Sequence, residues 1–208
     1  MSPRCSLGPF EPLPAAARAA SLRDALVGRP GTERLWVFAY GSLLWRPGFD
    51  PAERRRATLA GYRRSFCVWT VEARGTPERP GLGLGLVPAA GERCEGVALA
   101  LAPSGRDEAL AALWEREMLT GVYRPAWLPL ATEGGGIVAL AFVVDRFHPQ
   151  HAGELDAADA ARCIARARGR LGPCRDYLLA TVRALAAEGI EDAGLSALVG
   201  LVAPGPAG

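Results

Sequence analysis

The chain has 208 residues, half of them hydrophobic, and 24 basic against 22 acidic side chains leave a formal net charge of +2. That length and apolar share supply one sizeable core, so one globular domain is the expectation, and near-balanced charge removes the field that draws a chain to nucleic acid or an acidic membrane. Apart from two histidines the basic residues are all arginine, and there is neither lysine nor asparagine, which excludes Schiff-base chemistry, a lysine-bearing phosphate loop, a lysine general base and N-glycosylation.

Glycine (25) and proline (17) are frequent enough to mark many turns without indicating disorder. The five cysteines, at 5, 67, 94, 163 and 174, form no close pair and fit reduced thiols better than a disulfide frame. No apolar run approaches the roughly 20 residues a membrane span needs, and no secretory signal opens the chain. A cytoplasmic protein is therefore expected.

Prolines and glycines keep the first 13 residues from helix, and Ala15 to Val27 then reads as a short amphipathic helix. Residues 1–34 together look like an N-terminal extension. Strands are expected over Leu35 to Tyr40, Thr58 to Val71 with a bend, Leu82 to Val87 and Glu95 to Leu101. A helix follows, with Ser104 as its cap and Asp107 as the capping-box partner, and continues to Met118. Trp127 to Ala131 and Ile137 to Asp145 read as strands joined by a turn at Gly134-Gly135-Gly136. Glu154 to Arg168 and Cys174 to Ala187 are periodic and helical, broken apart by Gly169, Gly172 and Pro173, and a last short helix starts after Asp192. No linker interrupts residues 35–202, and the tail 203–208 should be loose. Periodicity alone gives an α+β fold.

Arginines cluster at 54–56 with 63–64 and again between 162 and 170, a pattern that suits solvated faces. His148 and His151, with Asp145 and Glu154 nearby, suit a polar loop better than a metal site. Glycine alternates through GLGLGL at 81–86 without the spacing of a dinucleotide loop, so this is a strand with one bare face. In the helix after Ser104, Leu110, Leu113 and Trp114 form an apolar stripe at about 100° per residue, with Glu117 near its middle and Glu115 on the far side. A carboxyl aimed at the core should have a raised pKa, the range in which it both takes and gives a proton. The same spacing allows an ion pair with one of the many arginines, or a frayed helix end. Tyr40-Gly41-Ser42 directly follows a buried strand, and a bare glycine there lets backbone N–H groups converge on a carboxylate or oxyanion. An ordinary tight turn has the same sequence. Ser42 has no triad to join, because both histidines lie in one polar loop.

The stretches "WVFAYGSLLW", "GYRRSFCVW", "RGTPERPGLGLGL", "LWEREMLTGVYRPAWLP" and "GPCRDYLLATVRAL" occur in the order and spacing of ChaC-type γ-glutamylcyclotransferases, which the chain resembles from Trp36 to about Leu185. The resemblance implies a γ-glutamylcyclotransferase-like domain over residues 35–202, with a small mixed, partly closed barrel-like sheet and surrounding helices. It implies cleavage of glutathione, a small-molecule substrate, to 5-oxoproline and cysteinylglycine without cofactor or metal. Glu117 of the Arg116-Glu117 pair would be the catalytic acid–base. Val37, Phe38, Ala39, Tyr40, Gly41 and Ser42 would bind the γ-glutamyl group, with Tyr123 as a further pocket wall. Other γ-glutamyl peptides or amines, or a non-catalytic γ-glutamyl-binding module, are the alternatives, and no oligomeric state is implied. One departure stands out: the family commonly has glycine where this chain has Ala39. Were the backbone there at positive φ, the methyl group would add about 1 kcal/mol of strain.

Overall fold

A computed structural model describes residues 7–31 and 34–202; Cys5 and the expected loose tail at 203–208 lie outside them. The chain divides into two compact units, each drawn from separated stretches: Glu11–Ser65 with Gly85–His148, and Phe66–Leu84 with Pro149–Gly208 and Met1–Phe10. Strands β2 (Pro51–Thr70) and β3 (Gly81–Leu101) run through the divisions, so no linker-like composition marks them.

The first unit is built on a closed barrel in the order β1-β3-β2-β4-β5, with β1 at Trp36–Ala39, β4 at Tyr123–Thr132 and β5 at Gly135–Val144. All four residues of β1 are buried. The strand pairs antiparallel with β3, from Trp36↔Ala100 to Ala39↔Val97, and parallel with β5 at Trp36↔Ala139 and Val37↔Leu140. A strand with neighbours on both edges and packing on both faces has no place for alternating polar residues, hence the unbroken apolar run. β4 and β5 form a ten-pair hairpin, Tyr123↔Val144 to Thr132↔Gly135. Of the three turn glycines only Gly135 takes a left-handed conformation, at φ +102°.

β2 and β3 are longer than expected. The two strands read at Leu82 to Val87 and Glu95 to Leu101 are one, crossing the Pro- and Gly-containing stretch 88–94 through Gly91 at φ +80°. Helix α2 spans Arg106–Glu117, and its N-cap is Gly105, left-handed and without a side-chain cap bond, so Ser104 does not cap it. Asp107 and Glu108 in its first turn complement the positive end of the helix dipole instead. Helix α1, Ala15–Val27, lies where the periodicity puts it, but it buries none of its residues, so the amphipathic reading is not met.

The second unit holds α3 (Ala157–Arg166), α4 (Cys174–Ala187) and α5 (Ala193–Leu201). Asp156 caps α3 through the Asp159 N–H, and Asp192 caps α5 through the Leu195 N–H. The expected helix break is a two-residue ribbon, β6 (Arg168–Gly169) with β7 (Gly172–Pro173). Three glycines meet beside it. A Cβ on Gly75 would lie 2.2 Å from the Gly81 nitrogen and 2.4 Å from the Thr70 carbonyl. One on Gly169 would lie 2.5 Å from the Glu72 carbonyl. Arg170 and Leu171 donate their N–H groups to Glu72 and Ala73, so the 72–75 loop and the ribbon are laced backbone to backbone. The buried Cys174 thiol donates to the Leu82 carbonyl at 3.2 Å and accepts from the Leu82 N–H at 3.4 Å. Burial above all pushes its pKa up to about 11, against the Leu82 bond and Arg74, which lower it, and with Cys163 adding to the rise. Among the described residues no helix is long and apolar enough to cross a membrane.

Candidate active site

β1 delivers Tyr40, Gly41 and Ser42 to the point where the barrel wall ends and a single 3₁₀ turn, Ser42–Leu44, begins. Val37, Phe38 and Ala39 are fully buried in the strand, their backbone engaged in the ladder with β3. They support the turn from behind. Among the described residues none but glycine has positive φ, so Ala39 does not, and the strain that alanine would add at positive φ does not arise. The glycine this crossing requires is Gly96 on β3, where a Cβ would sit 2.5 Å from the Ala39 carbonyl oxygen and 2.8 Å from the Phe38 ring.

Side chains fix the turn from three directions. The Tyr40 hydroxyl donates to the Phe142 carbonyl of β5 at 2.7 Å, and the Phe142 ring meets Trp114 of α2 edge-on at 5.4 Å. The Arg64 guanidinium donates to the Tyr40 carbonyl at 2.7 Å and to the Glu95 carbonyl. Arg116 donates from Nη2 to the Ser42 Oγ at 2.6 Å and from Nη1 to the Arg46 carbonyl. Among the described residues, the N–H groups of Gly41 and Ser42 go to no acceptor within the protein. Gly41 is buried. Ser42 is half-buried, and two successive N–H groups left open at a glycine are the arrangement that can cradle an anion.

Glu117 closes α2. The stripe read from the sequence is present, with Leu110, Leu113 and Trp114 buried, and it carries Glu117 inward while Glu115 stays out. The Glu117 side chain keeps 14% of its exposure, but its Oε1 is wholly shielded and makes no hydrogen bond to the protein. Arg116 Nε lies 3.0 Å from that oxygen, within ion-pair range but off the line of an N–H···O bond. Burial raises the Glu117 pKa, and the Arg116 charge opposes the rise. One guanidinium thus reaches both the carboxylate and Ser42 of the cradle. The sequence reading has Arg116 only as Glu117's neighbour and puts Arg64 on a solvated face, which its bonds to the Tyr40 and Glu95 carbonyls overturn; the one available signal is an arginine two residues before the fully buried run Phe66–Trp69.

Tyr123, the further wall candidate, is the half-buried first residue of β4. His148 places Nε2 3.0 Å from the Thr120 carbonyl, and Asp145 pairs with Arg124. Among the described residues no three metal-binding side chains come together. The arrangement therefore links a shielded carboxyl of raised pKa, through Arg116, to a turn with open amide donors, the kinds of group that acyl transfer uses.

The chain is similar to proteins of known name. Residues 35–204 match the family model described as ChaC-like protein. Over 186 residues the chain is 39% identical to the glutathione-specific gamma-glutamylcyclotransferase of Escherichia coli (strain K12), covering 89% of this chain and 80% of that protein. It is 33% identical to gamma-glutamylcyclotransferase 2-3 of Arabidopsis thaliana, over 76% of this chain and 83% of the relative. A crystal structure of a gamma-glutamyl cyclotransferase specific to glutathione, from yeast, superposes with a TM-score of 0.75 at 22% identity, covering 82% of this chain and 96% of that one.

Proposed function

The chain belongs to the ChaC-like family, and from that premise we propose that it is a glutathione-specific γ-glutamylcyclotransferase working through Glu117 and the cradle at Tyr40–Ser42. The substrate brings its own nucleophile. Its α-amine attacks the γ-carbonyl carbon, closing a five-membered ring as the γ-amide C–N bond breaks. The products are 5-oxoproline and cysteinylglycine, with no water consumed. Because the attack is intramolecular, the protein's main task is to hold the folded conformer, and the reaction needs no cofactor.

Glu117 takes a proton from the α-ammonium, freeing the lone pair, and returns one to the departing amine. A carboxylate already inclined toward its protonated form by burial suits both halves of that exchange. The Gly41 and Ser42 amides hold the substrate's α-carboxylate or the developing oxyanion, and Val37, Phe38 and Ala39 keep that turn rigid. The four described cysteines are all free thiols, in keeping with a reducing compartment such as the cytoplasm.

The observation that carries the reading is the shielded Glu117 carboxyl, linked through Arg116 to Ser42. Glu117→Gln preserves shape and removes the titrating group. Release of cysteinylglycine and 5-oxoproline from glutathione should fall at least about 100-fold, while calorimetry still registers glutathione binding. Wild-type turnover in that variant would remove Glu117 from the mechanism.

A further inference from the structure

Glu117 is the last residue of its helix, where the final carbonyls have no intrahelical donor and the turn frays most readily. A proton-transfer group must nonetheless be held to within a fraction of an ångström. What steadies this end of α2 comes from the segment just before the barrel.

The Leu13 N–H donates to the Leu119 carbonyl at 2.7 Å, two residues past the carboxylate. Arg18 sets its fork on Glu115, Nε to Oε1 at 3.1 Å and Nη2 to Oε2 at 2.7 Å, and its remaining nitrogen donates to the Leu13 carbonyl. Ser21 accepts from the Trp114 indole N–H at 3.3 Å. After the helix the chain turns at Gly121, φ +77°, whose absent Cβ would stand 3.0 Å from Leu13 Cδ1. At the far end of α1 the Ala25 carbonyl accepts from the Trp127 indole on β4 at 2.8 Å.

These contacts touch residues 114, 115, 119 and 121, on both sides of Glu117, and the elements that make them contribute little else. α1 buries no residue, so its part is not to fill the core. Arg18 is 12% exposed while its partner Glu115 is 60% exposed. The arginine is thus the packed member, linking Leu13 to α2, and the pair is too open to matter much as an ion pair. The arm precedes residue 35, where the family match begins.

We infer that Leu13 and α1 form a positioning arm for the catalytic helix, and that Arg18 is a positioning residue that sets Glu117 without touching substrate. The inference rests on Glu117 being the base. Steady-state turnover of glutathione by the full chain tests it, with kcat expressed per folded molecule at a temperature well below each variant's Tm. Arg18→Ala should lower kcat about 10-fold and leave KM within about twofold. Arg18→Lys, which keeps the charge and a donor for the Leu13 carbonyl or the Glu115 carboxylate, should hold kcat within about threefold of wild type. Arg18→Ala combined with Glu117→Gln should be no slower than Glu117→Gln alone, since an arm that acts through the base has nothing left to position. A merely structural role would lower Tm and leave kcat per folded molecule intact. That result, or a folded Arg18→Lys protein no faster than Arg18→Ala, would overturn the arm while Glu117→Gln remained inactive and the base stood. Wild-type turnover in Glu117→Gln would overturn both.

Discussion

The turn after β1 and the crossing around Gly75 are both places where the main chain runs close to other main chain, and they are held in opposite ways. At Gly75 backbone packs on backbone: the carbonyls of Thr70 and Arg79 and the amide of Gly81 fill the space where a side chain would stand, and the N–H groups of the ribbon's turn are spent on the loop. At Tyr40–Ser42 the fixing is done from outside, by the Tyr40 hydroxyl and the guanidinium groups of Arg64 and Arg116, and these take carbonyls and a hydroxyl only. The amides of Gly41 and Ser42 are left for something else. A segment locked by its own backbone can only be structural; one locked by distant side chains keeps its donors.

That contrast can be broken first at its structural pole. Gly75→Ala puts a methyl group into contact with three backbone atoms, none of which can swing away, and it should destabilise the protein by about 3 kcal/mol or more, as overpacked positions do. Urea unfolding measures this; a loss within about 0.5 kcal/mol would mean that the crossing is loose.

The functional pole is sharpened at Arg116. Arg116→Met releases Ser42 and removes the charge that opposes Glu117's raised pKa, so kcat should fall on the order of 100-fold. In the proposed mechanism Glu117 must be ionised to act, hence activity should rise with pH through its raised pKa, and losing Arg116 should carry that acid limb to higher pH. Arg116→Lys keeps the charge and loses the fork, so its rate should fall while its limb stays in place. A pH–rate series on both variants separates the two effects. The sign for stability follows as well: folding favours protonated Glu117, a contribution present at low pH and lost as pH climbs through the raised pKa.

The smallest effect is expected between the two poles, at Ala39→Gly. Since Ala39 sits in a strand without positive φ, glycine there should cost roughly 0.5–1 kcal/mol in unfolding free energy and bring no gain in kcat/KM. A faster enzyme would show that the methyl group does crowd the cradle.

What the sequence disclosed tracks how local each signal is. α4 was legible to the residue because Gly172-Pro173 opens it with a stop and a fixed φ, and β1 because nothing polar interrupts it. Glu117 was legible because three buried neighbours on one helix determine which way it faces. β3 was not, since the Pro- and Gly-containing stretch between its halves looks like a loop until both halves are seen to share one sheet. Ser104 was a plausible cap displaced by a glycine that needs no side-chain bond. Arg18, Arg64 and Arg116 escaped for another reason. With 24 arginines and no lysine, one more guanidinium carries no signal, and each has a partner 24 to 97 positions away that the sequence does not bring near.

Cys174 gives the reading a last consequence. The proposed substrate is a thiol, and its oxidised dimer modifies exposed protein cysteines by exchange, a reaction whose rate follows the attacking thiolate. Here Cys67, Cys94 and Cys174 are buried, burial also raises the pKa of half-buried Cys163, and Cys174 is spent on both polar groups of Leu82. Among the described residues, sulfur nucleophiles open to that exchange are therefore scarce.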